Sequence, residues 1–259
     1  MSETVQSSTK YSITMPSTED GLGQDQEWCV LKTEDETRRL RFHDYDEIYR
    51  RPGLYEQLFY DHLKCDSPRK VVGRLAESLE DQGVDPATLR VLDIGAGNGM
   101  VGEQLAAIGV GGLLGIDIIE EAEVAAERDR PGLYDDYMVV DLTDLSPSRK
   151  RQIQGWGPNA LSCVAALGFG DIPPSAFATA YDLLPLDSWL AFSIKDEFLE
   201  KPDESSGFSR LIEGLVECGA VEICARERYL HRVSMAGDPI HYVAVAAAKR
   251  DMHSAQALC

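Results

Sequence analysis

The sequence predicts an α/β domain built on a doubly wound, mostly parallel sheet. Three observations predict it. From Val91 onward, short apolar runs alternate with amphipathic stretches, the pattern of strands covered by helices on both faces. The first run passes directly into a turn with glycine at every second position, Gly95, Gly97 and Gly99. The last two runs have only Val233–Pro239 between them, so they form an antiparallel hairpin at one sheet edge.

Taken in order, residues up to about Leu31 are rich in Ser, Thr, Glu, Asp and Gln. They read as a mobile extension with at most a short strand at Trp28–Leu31. Tyr45, Ile48, Tyr49, Leu54, Tyr55, Leu58 and Phe59 recur at helical spacing around Pro52-Gly53, which predicts two short helices. Ser67 as cap, Pro68 in the first turn and the face Val71, Val72, Leu75 and Leu79 predict a longer one. The alternation then gives strands at Val91–Ile94, Gly112–Ile118, Tyr137–Asp141, Ala160–Leu167, Trp189–Ile194, Val221–Arg232 and His241–Ala248. Helices are expected from Val101 to Gly109, at Glu120–Arg128, at about Pro174–Leu184 and at Ser209–Cys218. The expected organisation is an extension over 1–38, a helical cap over 39–80, a ligand-binding core over 81–251 and a tail over 252–259.

Bulk properties narrow the function. The 259 residues carry a formal net charge of −19, a field that repels phosphate backbones and disfavours nucleic acid as a partner. No run approaches the ~18 apolar residues of a membrane span, and Met1–Lys10 lacks the character of a signal peptide. Six scattered cysteines without a CxxC pair argue against a disulfide framework or a metal site, and the expected setting is the cytoplasm. Nothing in the sequence sets the oligomeric state.

The glycine turn admits two ligands. Gly97-Asn-Gly-Met-Val-Gly102 matches the dinucleotide fingerprint, with Asp117 about twenty residues on. The other register is Asp93-x-Gly95-x-Gly97-x-Gly99. It puts a carboxylate at the end of the first strand, where a pyrophosphate is repelled and a sulfonium ligand with an ammonium group is attracted. The strand runs straight into Gly95, which favours the second register.

In that register Val91–Gly99 resembles motif I of the class I S-adenosylmethionine-dependent methyltransferases, whose fold is Rossmann-like with seven strands. Gly115-Ile-Asp117-Ile118 is similar to the family's second strand, whose terminal acid holds the ribose hydroxyls. Val139-Val-Asp141-Leu142 resembles the third-strand end at the adenine, although Asp141 could instead cap the turn after it. Ala165-Ala-Leu167-Gly-Phe-Gly-Asp171 occupies the place beside the transferred methyl group. Leu133-Tyr134, Val140–Thr143 and Phe192–Glu197 are similar to the Williams–Beuren-type subgroup. The resemblance implies S-adenosylmethionine as cofactor. Its implied contacts are Asp93, Gly95, Ala96, Gly97, Gly99, Asp117, Ile118, Asp141, Leu142 and Leu167, with Tyr45 and Tyr49 on a lid near the methionine end.

Methyl transfer needs a base only when the acceptor must lose a proton early. The candidates are His43, Asp44, Glu197, His231 and His241. No Asn/Asp-Pro-Pro-Tyr-like motif of amino-methylating enzymes follows Gly168. The expected acceptor is a small molecule. A protein acceptor, a non-catalytic sensor of S-adenosylmethionine and a nicotinamide oxidoreductase are the alternatives.

Overall fold

The computed structural model describes residues 11–16, 23–167, 172–196 and 207–258. They fall into two compact units. The larger comprises Ser67–Tyr229 with His241–Cys259, the smaller Met1–Asp66 with Leu230–Ile240. The sequence boundaries at 38/39 and 80/81 do not coincide with this division, because the helix Ser67–Asp81 groups with the large unit.

The large unit is the expected doubly wound sheet. Its strands are β4 (Arg90–Ile94), β5 (Gly112–Asp117), β6 (Asp136–Val139), β7 (Ala160–Cys163), β8 (Trp189–Lys195), β9 (Val221–Val233) and β10 (Pro239–Lys249), in the order β6-β5-β4-β7-β8-β10-β9, with the facing ends of β9 and β10 within Leu230–Ile240 belonging to the small unit. Pairings from β6 through β8 are parallel, and β10 lies antiparallel to β8. The helices are α2 (Ser67–Asp81), α3 (Met100–Ala107), α4 (Glu120–Asp129), α5 (Pro147–Trp156), α6 (Pro174–Asp182) and α7 (Phe208–Glu217). One continuous core joins Leu92, Ile94, Leu114, Leu161, Phe177, Phe192 and Leu211, the inward residues that the alternation marks as strand or helix interior.

Strand β6 runs Asp136–Val139 rather than Tyr137–Asp141, and three further departures have a local physical cause. Helix α5 escapes periodicity because Ile153 is its one buried residue. Its visible signals are terminal: Ser146 Oγ accepts from the Arg149 amide, Pro147 opens the first turn, and Gly157 closes the helix at φ 81°. Strand β7 stops at Cys163 rather than Leu167, because Ala165 takes a left-handed φ of 58° that ends an extended run. The last strand continues one residue to Lys249, whose buried Nζ donates to the Tyr181 and Leu184 carbonyls, at 3.0 and 2.9 Å, at the end of α6.

Among the described N-terminal residues, the small unit holds the short strand expected at Trp28–Leu31 and more structure than the expected extension. Strands β1 (Ser12–Thr14), β2 (Trp28–Lys32) and β3 (Thr37–Arg41) form an antiparallel sheet. Its inward residues Cys29, Leu31 and Leu40 join Phe42, Ile48, Leu54, Leu58, Leu63 and Met235 in a separate core. The charged run Thr-Arg-Arg-Leu-Arg hides β3, since only Leu40 is buried there. A buried ion pair ties this unit together: Arg232 Nη2 donates to Glu27 Oε2 at 2.5 Å, and the Met235 amide donates to Glu27 Oε1 at 2.6 Å. The two expected short segments on either side of Pro52-Gly53 are α1 (Tyr45–Tyr49) and a π-helical stretch, Glu56–His62.

Candidate cofactor site

The chain order moves outward from β4 through β5 to β6, then returns to β7 on the other side of β4. That reversal is the place where open α/β sheets bind ligands, at the carboxyl ends of the strands. Asp93 sits there, in register with Gly115 on β5 and Ser162 on β7. The following turn carries Gly95, Gly97 and Gly99 at φ 67°, 54° and 90°. A Cβ on Gly95 would come within 2.9 Å of Ile172 Cδ1 and 3.2 Å of Ala166 Cβ, so a side chain there would push on both neighbours as well as strain the left-handed backbone.

The turn uses its amides internally. Those of Gly95 and Ala96 donate to the Ile116 carbonyl at 2.9 and 3.1 Å, and that of Gly99 to the Ala96 carbonyl at 3.0 Å. The Gly97 amide donates to Asp117 Oδ2 at 2.9 Å. Asp117 Oδ1 accepts from the Ile118 and Ile119 amides at 2.8 and 3.1 Å. Burial pushes the Asp117 carboxyl up, against the lowering effect of those three amides. Next to it Ile118 is 61% exposed, an apolar side chain left uncovered at the strand end.

Asp93 is 1% exposed and both of its oxygens are taken. Ser162 Oγ donates to Oδ1 at 2.6 Å, and the Tyr134 hydroxyl donates to Oδ2 at 2.8 Å. Burial raises its pKa to about 6, with the nearby Asp117 charge adding and the two hydroxyls opposing. Burial thus works against the charge of two acids under one turn, and a cation there would relieve both.

The remaining expected contacts are placed as follows. Ala96 and Gly97 are buried in the turn. Asp141 is exposed, and its Oδ1 accepts from the Thr143 amide and hydroxyl, both at 2.7 Å, which is the capping geometry its sequence context also allowed. Those bonds hold its carboxyl below the usual range. Leu142 and Leu167 are buried in the large core. Gly168–Asp171 and Glu197 lie outside the described residues. Tyr45 and Tyr49 belong to the small unit, where their rings stack at 6.1 Å and continue into Tyr55 and Phe59.

The base candidates divide between the units. His43 meets Tyr45 edge-on at 5.7 Å, and its Nδ1 is 3.4 Å from the Asp25 carbonyl oxygen. Asp44 Oδ2 accepts from the Arg41 amide at 3.0 Å. His231 is buried with Nδ1 3.9 Å from Cys65 Sγ, and burial drives its pKa well below 6.5, so it is neutral at pH 7. His241 is half-buried at the start of the segment that returns to the large unit. Among the described residues no three His, Cys, Asp or Glu side chains gather as metal ligands, and no helix is long and apolar enough to cross a membrane.

Sequence reading missed Tyr134, Tyr137 and Ser162 as parts of this site. The Tyr137 hydroxyl donates to the Gly97 carbonyl at 2.8 Å. The available signal was glycine at 102 and 115. A Cβ on Gly102 would lie 2.6 Å from the Tyr134 hydroxyl oxygen, and one on Gly115 would lie 2.7 Å from Tyr137 Cδ2. These glycines make room for the two tyrosines.

Comparison with family profiles and with curated protein sequences finds no match. Among solved structures, the chain resembles the N-methyltransferase NodS from Bradyrhizobium japonicum WM9 in complex with S-adenosyl-L-homocysteine. The TM-score is 0.56 at 15% identity, covering 81% of this chain and 98% of that one. It also resembles a candidate RNA methyltransferase from Pyrococcus horikoshii, at a TM-score of 0.51 and 13% identity, covering 72% and 88%. At such identities the likeness is one of fold, and the fold is that of the class I S-adenosylmethionine-dependent methyltransferases.

Proposed function

We propose that this chain, which has the fold of the class I methyltransferases, binds S-adenosylmethionine at the Gly95–Gly99 turn and transfers its methyl group to a small acceptor. The observation that carries the reading is the fate of the turn's amides. A pyrophosphate needs free N–H groups at such a turn. Here the amides of Gly95, Ala96, Gly97 and Gly99 are already donated within the protein, and two carboxylates, buried Asp93 and half-buried Asp117, lie beneath. That environment favours a cation over a dinucleotide. Gly102, the last glycine of the dinucleotide fingerprint, is accounted for by Tyr134 lying against it.

The residues fit the cofactor in parts. Asp117, held by three amides, presents its carboxylate at the end of β5, where it can accept from two vicinal hydroxyls of a ribose. Exposed Ile118 offers an apolar surface to a base. Asp93, shielded by Tyr134 and Ser162, acts on a positive group through its field and through the turn it supports. When bound, the sulfonium supplies an already activated methyl carbon, so the protein's part is to align the acceptor in line and exclude water. The net charge of −19 supports a small or basic acceptor over nucleic acid.

The test is incubation of the purified protein with methyl-labelled S-adenosylmethionine and fractionated small-molecule extracts. The expected result is label in an acceptor fraction, reduced by Asp117→Ala. Label only in protein or nucleic acid would overturn the small-molecule acceptor.

A further inference from the structure

We propose that Tyr134 and Tyr137 are positioning residues that latch the glycine turn, Tyr134 through Asp93 and Tyr137 through the Gly97 carbonyl. The inference rests on the cofactor reading above only for its functional consequence; the latch itself is a property of the protein alone.

Tyr134 immediately precedes β6, the outermost parallel strand, and Tyr137 lies within it, yet they reach the end of β4 and the turn that follows. Their rings meet edge-on at 5.3 Å. Tyr134 lies against Gly102 of α3 and Tyr137 against Gly115 of β5, each seated where a Cβ would collide. Their hydroxyls end on different atoms of the turn's support. Tyr134 donates to Asp93 Oδ2 and Tyr137 to the Gly97 carbonyl oxygen, both at 2.8 Å. The Gly97 residue is thus held on two sides, its amide by Asp117 and its carbonyl by Tyr137. A glycine at φ 54° has wide conformational freedom, and fixing both of its peptide groups removes it. Packing alone would place the rings without requiring hydroxyls; two half-buried hydroxyls, one bonded to Asp93 beneath the turn and one to Gly97 in it, indicate a second task.

The two tasks differ. Asp93 is faced by Tyr134, by Ser162 and Cys163 of β7, by Asp117 of β5 and by Tyr137 of β6. Arg130 lies near Tyr134 and donates to the Asn98 carbonyl at 2.9 Å. Of these, the Tyr134 and Ser162 hydroxyls are the groups that stabilise the ionised carboxylate. Removing Tyr134's hydroxyl therefore makes Asp93 protonate at higher pH. Removing Tyr137's hydroxyl loosens Gly97 and leaves Asp93's titration in place.

The experiment compares the full chain with Tyr134→Phe and Tyr137→Phe, first without ligand. The Asp93 carboxyl carbon, followed by NMR, should titrate about one to two pH units higher in Tyr134→Phe and unchanged in Tyr137→Phe. The Gly97 amide should exchange about fivefold faster in Tyr137→Phe. Calorimetry with S-adenosylmethionine then follows. Tyr134→Phe should bind about tenfold more weakly at pH 7 and recover at pH 9, a rescue that a packing defect would not show; Tyr137→Phe should stay weak at both. Ser162→Ala, which removes the other hydroxyl on Asp93, should move its titration in the same direction as Tyr134→Phe. An unmoved Asp93 titration in Tyr134→Phe together with an unchanged Gly97 exchange in Tyr137→Phe would overturn the latch. If the unaltered protein fails to bind S-adenosylmethionine, the cofactor reading falls while the ligand-free measurements still decide the latch.

Discussion

The Gly97 amide donates to Oδ2 of Asp117 across 2.9 Å, joining the turn after one strand to the acid at the end of its neighbour. The bond links the two sequence features, glycine turn and second-strand acid, in one local structure. It also spends an N–H that a phosphate ligand would need. The predicted consequences of that arrangement are open to measurement.

Asp117→Ala should weaken S-adenosylmethionine by about 1–3 kcal/mol, the range for losing a partner to a buried polar group. Methylthioadenosine, which keeps the ribose, should suffer equally. Asp93→Asn should penalise ligands that keep the cationic amino-acid end. Titration calorimetry of both variants with both ligands decides it, and equal losses throughout would contradict the division of labour.

Asp93 also predicts opposing pH dependences. Its carboxyl is raised by folding, so the folded state holds the proton more tightly than the unfolded chain. Between pH 3.8 and about 6 its contribution to ligand-free stability falls as pH rises, with a limiting slope of about 1.4 kcal/mol per pH unit. Affinity for a cationic ligand should rise as pH passes through about 6. Urea unfolding of the native protein and Asp93→Asn at several pH values isolates the first effect: the variant should gain relative stability as pH rises. A pH-independent difference would show that Asp93 does not titrate there.

Gly97→Val should abolish cofactor binding while leaving the protein folded, because a β-branched residue at φ 54° is strained and cannot keep both of the turn's anchoring bonds. Far-ultraviolet circular dichroism and calorimetry on the same sample check it. Undiminished affinity in a folded variant would remove the turn from the site.

Arg232→Met should destabilise the small unit by about 3–5 kcal/mol, the cost of leaving one member of a buried ion pair alone. Glu27 is 2% exposed, and both its carboxylate oxygens have partners on the Leu230–Ile240 segment. Deleting residues 1–33 removes Glu27 and two strands of the small sheet, so it should destabilise the same unit. Hydrogen exchange across 37–63 measures both. Unchanged protection would contradict a structural role for the pair.

How much of this the sequence discloses depends on where the signal resides. The strands around Asp93 and Asp117 are legible because burial on both faces imposes continuous apolar runs, and the turn because left-handed backbone demands glycine. Helix α5 is not, since a helix with one buried residue, Ile153, leaves no stripe. Strand β3 is not, since its arginines mask the single inward Leu40. Tyr134 and Tyr137 are hidden for another reason: they reach the turn from 41 and 40 residues away along the chain. Only the space left by Gly102 and Gly115 marks them, and a glycine within a helix or strand does not say what fills its gap. Asp141 shows the converse, a carboxylate whose sequence setting suits two tasks and whose Oδ1 is engaged in capping.

The most direct test of the central claim is a side-by-side calorimetric titration of the unaltered protein with S-adenosylmethionine, S-adenosylhomocysteine and NAD at pH 7.5. Internally satisfied amides above two carboxylates, buried Asp93 and half-buried Asp117, predict that S-adenosylmethionine binds and NAD does not, and that Asp117→Ala weakens the S-adenosylmethionine signal. Binding of NAD in place of S-adenosylmethionine would contradict the account.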